Sequence, residues 1–154
     1  MICTKDRSLL VVGGTGFIGK WIVKEAIDKG YKVTVLSLKK RNHSGNSGII
    51  FLKADLRIKS EVKKVLKDDY THVINLGGYV NHSNFKEGGR GVIDTHYVGL
   101  LNLLSCLNFK HLHKFIQVGS SDEYGRMNSP QKECGNALPI SCYSAAKLSS
   151  NQLL

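Results

Sequence analysis

Two stretches of this chain carry side chains whose type and spacing could do chemistry. Tyr143-Ser144-Ala145-Ala146-Lys147 sets a phenol and an ammonium four residues apart, on one face if the segment is helical, as the following Leu148, Leu153 and Leu154 suggest. An unperturbed tyrosine titrates near about pH 10, so service as a base near neutrality needs about 4 kcal/mol of preferential stabilisation of the phenolate. A nearby ammonium acts in that direction. The second stretch is the end of an apolar run, Lys114-Phe115-Ile116-Gln117-Val118, with Ser120 just beyond it. A serine there can donate to a substrate oxygen while Tyr143 exchanges its proton, stabilising charge that develops in the reaction. Taken alone, the Tyr-x-x-x-Lys spacing also fits a half-exposed helix face, and the serine also fits a turn.

A third feature supplies what such a pair would work with. Gly13, Gly16 and Gly19 fall between the apolar run Leu9-Leu10-Val11-Val12 and a helical pattern, where a tight turn, a bare backbone approach and close helix packing are all needed. Unpaired amides and the positive end of a helix dipole favour an anion at that point, so the turn predicts a pyrophosphate seat for a dinucleotide. The oxidised nicotinamide ring then adds a second positive charge near Tyr143. Cofactor choice is read at the end of the second strand, where an acid ordinarily accepts hydrogen bonds from the adenosine ribose. Ser37 stands there instead, followed by Lys39, Lys40 and Arg41. With no carboxylate to repel a 2′-phosphate and cations to hold one, NADP is favoured over NAD.

The elements that must position these residues alternate along the chain. Strands are expected at Leu9–Val12, Lys32–Ser37, Ile49–Leu52, His72–Leu76 and Lys114–Val118. A first helix is expected from Phe17 to Ile27, with Phe17, Ile18, Trp21, Ile22 and Ala26 at helical spacing and Gly30 as its stop. A second runs from Lys59 to Lys67 with Val62, Val65 and Leu66 inward, and a long one from about Val92 to Leu107 follows a loop at Asn81 to Gly91. Polar loops are expected at Lys39 to Gly48 and Arg126 to Ser141. The fold class is therefore α/β, a Rossmann-type doubly wound parallel sheet covered on both faces.

The 154 residues, 42% of them hydrophobic, suit a single domain over residues 1–154. No run approaches the roughly 18 to 20 apolar residues needed to span a bilayer, and Met1 to Arg7 is too polar for a signal peptide, so a cytoplasmic protein with no membrane partner is expected. Cys3, Cys106, Cys134 and Cys142 match neither a paired zinc motif nor Cys-x-x-Cys, and read as reduced thiols with no metal. The formal charge of +10 is scattered from Lys5 to Lys147 rather than gathered into an aromatic-interleaved block. It predicts a solvated basic surface that attracts an anionic cofactor and substrate, and no nucleic acid.

Three segments together, Gly13-Gly14-Thr15-Gly16-Phe17-Ile18-Gly19, Phe115 to Gly125 and Pro139 to Lys147, resemble the extended short-chain dehydrogenase/reductases, the family of nucleotide-sugar epimerases, 4,6-dehydratases and 4-ketoreductases. The likeness runs from about Ser8 to the last residue. It implies that Ser120, Tyr143 and Lys147 form the catalytic triad, with Tyr143 and Lys147 also touching the cofactor. It assigns Gly13, Thr15, Gly16, Phe17, Ile18 and Gly19 to the cofactor turn, Asp55 and Leu56 to an adenine contact, and Leu76, Gly77 and Gly78 to the strand end lying along the cofactor. Asp122 sits where GDP-mannose 4,6-dehydratase, a member, carries a glutamate as acid/base. The implied partner is a nucleotide-sugar substrate, and the full-length enzyme is expected to be a homodimer. His96 replaces the family's usual asparagine in the long helix, and a packed histidine is the expected role. Members continue for about as many residues again, so the chain is expected to be truncated before the substrate lobe, leaving an open edge and an apolar face at the fifth strand. The rival reading is a non-catalytic NAD(P)-binding module, against which the intact serine, tyrosine and lysine count.

Overall fold

The structure is a computed structural model that describes residues 7–39 and 48–154; Cys3, Lys40 and Arg41 lie outside the described residues. Five strands, β1 (Ser8–Val12), β2 (Lys32–Ser37), β3 (Ile50–Lys53), β4 (His72–Asn75) and β5 (Lys114–Gln117), form one sheet in the order β3-β2-β1-β4-β5. Every pairing is parallel. Because β1 lies at the centre with both faces covered, it reads as an unbroken apolar run, and Leu9, Leu10, Val11 and Val12 are all buried. The side-chain alternation of a strand then divides them. Leu10 and Val12 join Leu56, Val62, Val73 and Leu103 in one core layer, and Leu9 and Val11 join Val23, Ala26, Val33 and Val35 in the other.

Helix α1 (Phe17–Asp28) covers one face, but not with the stripe its apolar residues predict. The buried positions are Gly19, Val23 and Ala26, whereas Phe17, Ile18 and Trp21 are 85%, 56% and 64% exposed. The glycine turn is the reason. A Cβ on Gly19 would lie 2.5 Å from the Gly13 carbonyl oxygen, so Gly19 must face the turn, which rotates Phe17 and Trp21 outward. Gly30 closes the helix with a positive φ of 78°, as its stop position requires.

The opposite face is covered by α2 (Lys59–Val65), α3 (Gly89–Ile93), α4 (Gly99–Cys106) and α5 (Cys142–Gln152). The long helix starts at Gly89 rather than Val92, and the expected loop before it contains a 3₁₀ turn at Phe85–Glu87. It is also not uniform, since a π turn at Asp94–Val98 joins α3 to α4. Ser150 of α5 places its Oγ 3.1 Å from the His96 carbonyl, meeting a backbone acceptor in that turn.

As expected, β5 is the outer strand, with Ile116 43% exposed. Beside it, Trp21, Ile22, Ile74 and Ile116 line an apolar cleft of ≈ 510 Å³ between α1 and the β4–β5 side of the sheet. Among the described residues no helix is long and apolar enough to cross a membrane. Cys106, Cys134 and Cys142 are free thiols, and no described group of three or more His, Cys, Asp or Glu could hold a metal ion.

Candidate functional site

In a parallel sheet all the turns that follow strand C-termini lie along one edge, and two cavities open there. The first, of ≈ 480 Å³, collects residues from four strand ends, among them Gly13, Thr15 and Gly16 after β1, Ser37 and Lys39 at β2, Asp55 and Leu56 after β3, and Leu76, Gly77 and Gly78 after β4. The predicted cofactor residues that do not line it are Phe17 and Ile18, exposed at the start of α1, Gly19, buried against the Gly13 carbonyl, and Tyr143 and Lys147.

The lining fits a dinucleotide. Gly13 has φ +77°, and a Cβ there would sit 2.9 Å from the Leu76 carbonyl oxygen, so the chain passes where only glycine goes. The N-cap of α1 is Gly16, which has no side chain with which to cap the first-turn amides, so that helix end suits an anion. At the end of β2 the Ser37 hydroxyl donates to the Lys39 carbonyl at 2.7 Å. Arg57, not anticipated from the sequence, holds Asp55 through its Nε at 3.0 Å. This hydrogen bond keeps the Asp55 carboxyl below its ordinary value and the guanidinium above its own. The Asp-x-Arg spacing was the available signal.

The second group of residues stands where β5 ends. Ser120 caps the 3₁₀ turn Ser121–Tyr124. Its Oγ accepts from the Asp122 amide at 3.2 Å, while its hydroxyl proton meets no acceptor among the described residues. The buried carboxylate of Glu123 accepts from the Ser120 amide at 2.7 Å and from Asn151 Nδ2 of α5 at 2.6 Å, tying the serine turn to the helix that carries Tyr143 and Lys147. Glu123 was legible only as the fourth member of a Ser-x-x-Glu capping pattern. Helix α5 starts at a second box, in which Ser141 Oγ accepts from the Ser144 amide at 3.1 Å and Ser144 Oγ accepts from the Ser141 amide at 2.9 Å.

Tyr143 and Lys147, one turn apart on α5, are both buried. The Tyr143 hydroxyl has no hydrogen-bond partner among the described residues, and its ring is held edge to face by two histidines, His96 at 5.3 Å and His82 at 5.5 Å. Lys147 Nζ donates to the Val118 carbonyl at the end of β5. Burial lowers its pKa, opposed by the Glu123 carboxylate. His96 is packed as expected. Its Nε2 lies 2.9 Å from the Tyr79 carbonyl and therefore carries the proton, which leaves Nδ1 as a buried acceptor without a partner among the described residues. Burial holds this imidazole below its ordinary value, partly offset by the bond to Tyr79, with Lys147 adding to the depression.

His82 has no counterpart in the sequence-based reading. It lies in the Asn- and Gly-rich segment after β4, too far along the chain from Asp122 and Tyr143 for any local spacing to join them. Its Nε2 stands 3.5 Å from Asp122 Oδ2. Both line a cavity of ≈ 480 Å³ with Ser121, Gln131, Ile140 and Ser141.

The model of the NAD dependent epimerase/dehydratase family matches residues 9–154, and the chain belongs to that family. It is 29% identical to Protein CapI of Staphylococcus aureus, over 95% of this chain and 48% of that protein. It is 30% identical to a dTDP-glucose 4,6-dehydratase of Xanthomonas campestris, over 94% of this chain and 47% of that protein. Among solved structures, the UDP-glucose 4-epimerase of Thermus thermophilus in complex with NAD superposes with a TM-score of 0.80 at 26% identity, over 95% of this chain and 49% of that one. The chain thus spans about half the length of the curated relatives it matches.

Proposed function

We propose that residues 1–154 form the NAD(P)-binding domain of an enzyme that oxidises or reduces a carbon of a nucleotide-linked sugar, as an epimerase or dehydratase. One observation carries this reading. An uncommitted phenol and an uncommitted serine proton stand at the sheet edge that also holds the phosphate turn. A bound oxidised nicotinamide would supply the hydride acceptor for the sugar carbon.

Tyr143 takes the proton from the hydroxyl on that carbon, and Ser120 donates its free proton to the reacting oxygen. The Lys147 ammonium favours the phenolate and would hold the nicotinamide ribose of a bound cofactor. Gly13, Gly16 and Gly19 would seat the pyrophosphate, with Thr15, Phe17 and Ile18 belonging to the same cofactor turn; Asp55 and Leu56 would meet the adenine; Leu76, Gly77 and Gly78 would lie along the cofactor. Asp122 stands ready as a second acid/base. NADP is preferred over NAD, because Ser37 replaces an acid at the β2 end and Lys39 lines the adjoining cleft.

Tyr143→Phe in the full-length protein tests the mechanism. Turnover should fall by about 10²- to 10⁴-fold with cofactor affinity nearly unchanged. Full turnover in this variant would falsify the assignment. Cofactor choice is tested by Ser37→Asp, which should weaken NADP about tenfold while leaving NAD less affected, since a carboxylate repels the 2′-phosphate. Equal losses for both cofactors would remove the preference.

A further inference from the structure

We propose that His96 is a positioning residue of this site, an imidazole spacer that touches both the backbone of Gly78 and the ring of Tyr143 and so fixes where the phenol stands relative to the wall of the dinucleotide cleft. The inference rests on the proposed function, in which Tyr143 is the acid/base, and adds the group that aims it. Gly78 lines the cleft with φ +143°, and a Cβ there would fall onto His96 Cε1, within 2.7 Å of both ring nitrogens. The imidazole thus occupies the space that any side chain at residue 78 would need. The same imidazole meets the Tyr143 ring, with centroids 5.3 Å apart and planes at 79°.

The spacer is itself fixed at three points. Its Nε2–H donates to the Tyr79 carbonyl at 2.9 Å, and Tyr79 is another residue of the cleft wall, so the ring is oriented by the wall it adjoins. Its own carbonyl, in the π turn, accepts from Ser150 Oγ at 3.1 Å, two turns beyond Tyr143 on α5. The helix that carries the phenol is therefore tied to the backbone of His96, while the phenol ring rests on its side chain. Finally, His96 is only 4% exposed, which leaves the ring no solvent to swing into. His82, the other ring against Tyr143, has a side chain 56% exposed and lacks that enclosure. Proton transfer depends steeply on placement, a misplacement of about 1 Å costing on the order of 10²-fold in rate.

The experiment compares His96→Ala, His96→Phe and His96→Gln in the full-length protein. Product formation is followed with NAD(P) and UDP-glucose, dTDP-glucose or GDP-mannose, using whichever of these the native protein turns over. His96→Ala removes the spacer and should lower kcat about 10²-fold with KM changed less than about threefold, the signature of lost alignment rather than lost binding. His96→Phe keeps a ring against Tyr143 and should stay within about tenfold of native, whereas His96→Gln keeps a donor for the Tyr79 carbonyl without a ring and should fall close to His96→Ala. Cofactor affinity, read by fluorescence, and urea midpoints report how far each variant is folded. If His96→Ala is too unstable to take up cofactor, the comparison of His96→Phe with His96→Gln decides. A kcat for His96→Ala within about threefold of native, a loss confined to KM, or a His96→Phe no faster than His96→Gln overturns the inference and leaves the proposed function standing. Turnover of none of the three sugars by a native protein that binds NAD(P) overturns both.

Discussion

At the scale of single residues, the site depends on what each buried polar group has been left free to do. Desolvation pushes the pKa of the buried Tyr70 phenol up to about 12. Tyr143 is also buried, on a helix whose next turn carries Lys147. The histidine beside it makes a different prediction. Because burial lowers the pKa of His96, the unfolded chain takes up a proton near pH 6.5 that the native chain refuses. The stability tied to His96 is whole above pH 6.5 and is lost as pH falls from there toward the depressed native value, by about 1.4 kcal/mol per pH unit. Urea unfolding at pH 7 and pH 5 should show that loss, and His96→Asn should flatten it. His72, whose pKa burial also lowers, would keep a smaller slope of the same sign.

Elements matter here chiefly for the turns between them. Helix α1 is docked by Gly19 rather than by its largest apolar side chains, since a Cβ on that residue would come within 2.6 Å of the Gly14 Cα as well as overlapping the Gly13 carbonyl. Gly19→Ala should therefore destabilise the domain by about 1–3 kcal/mol and abolish cofactor binding, whereas a change at exposed Trp21 should leave both nearly intact. Denaturant midpoints and cofactor titration on the two variants would separate these outcomes. The junction of the Ser120 turn with α5 is equally specific. Glu123 accepts one bond from each side, so Glu123→Gln replaces two charge-assisted bonds by neutral ones, one of which needs the Asn151 amide to turn over, and should cost about 1–3 kcal/mol. If turnover in that variant falls while stability does not, the carboxylate does more than join the two elements.

For the molecule as a whole, the excess positive charge is divided by the sheet. Lys20, Lys24 and Lys29 ride on or beside α1 over one face, and Lys59, Lys63 and Lys64 on α2 over the other. Among the described residues no single basic stripe results, so binding to random oligonucleotides should be weak and should vanish between about 50 and 200 mM salt. A gel shift that survives the higher salt would contradict this. The C-terminal edge, by contrast, gathers chemistry from every strand. Its dinucleotide cleft and the His82–Asp122 cavity together draw on segments from Val12 to Ser144.

The periodicity of the chain, its glycine spacing and the Tyr-x-x-x-Lys pair were enough to identify the alternating elements, the parallel sheet and most of the cleft. Those features are local, because a strand end, a tight turn and one helix turn each fit within a few residues. The rotation of α1, the π turn that seats His96, the clamping of Asp55 by Arg57, and the meeting of His82 with Asp122 and Tyr143 came only from the tertiary structure. Each depends on how close two segments distant in sequence can approach. Such distances are set by packing against the sheet, where a single missing or added Cβ turns a helix and chooses which side chains meet.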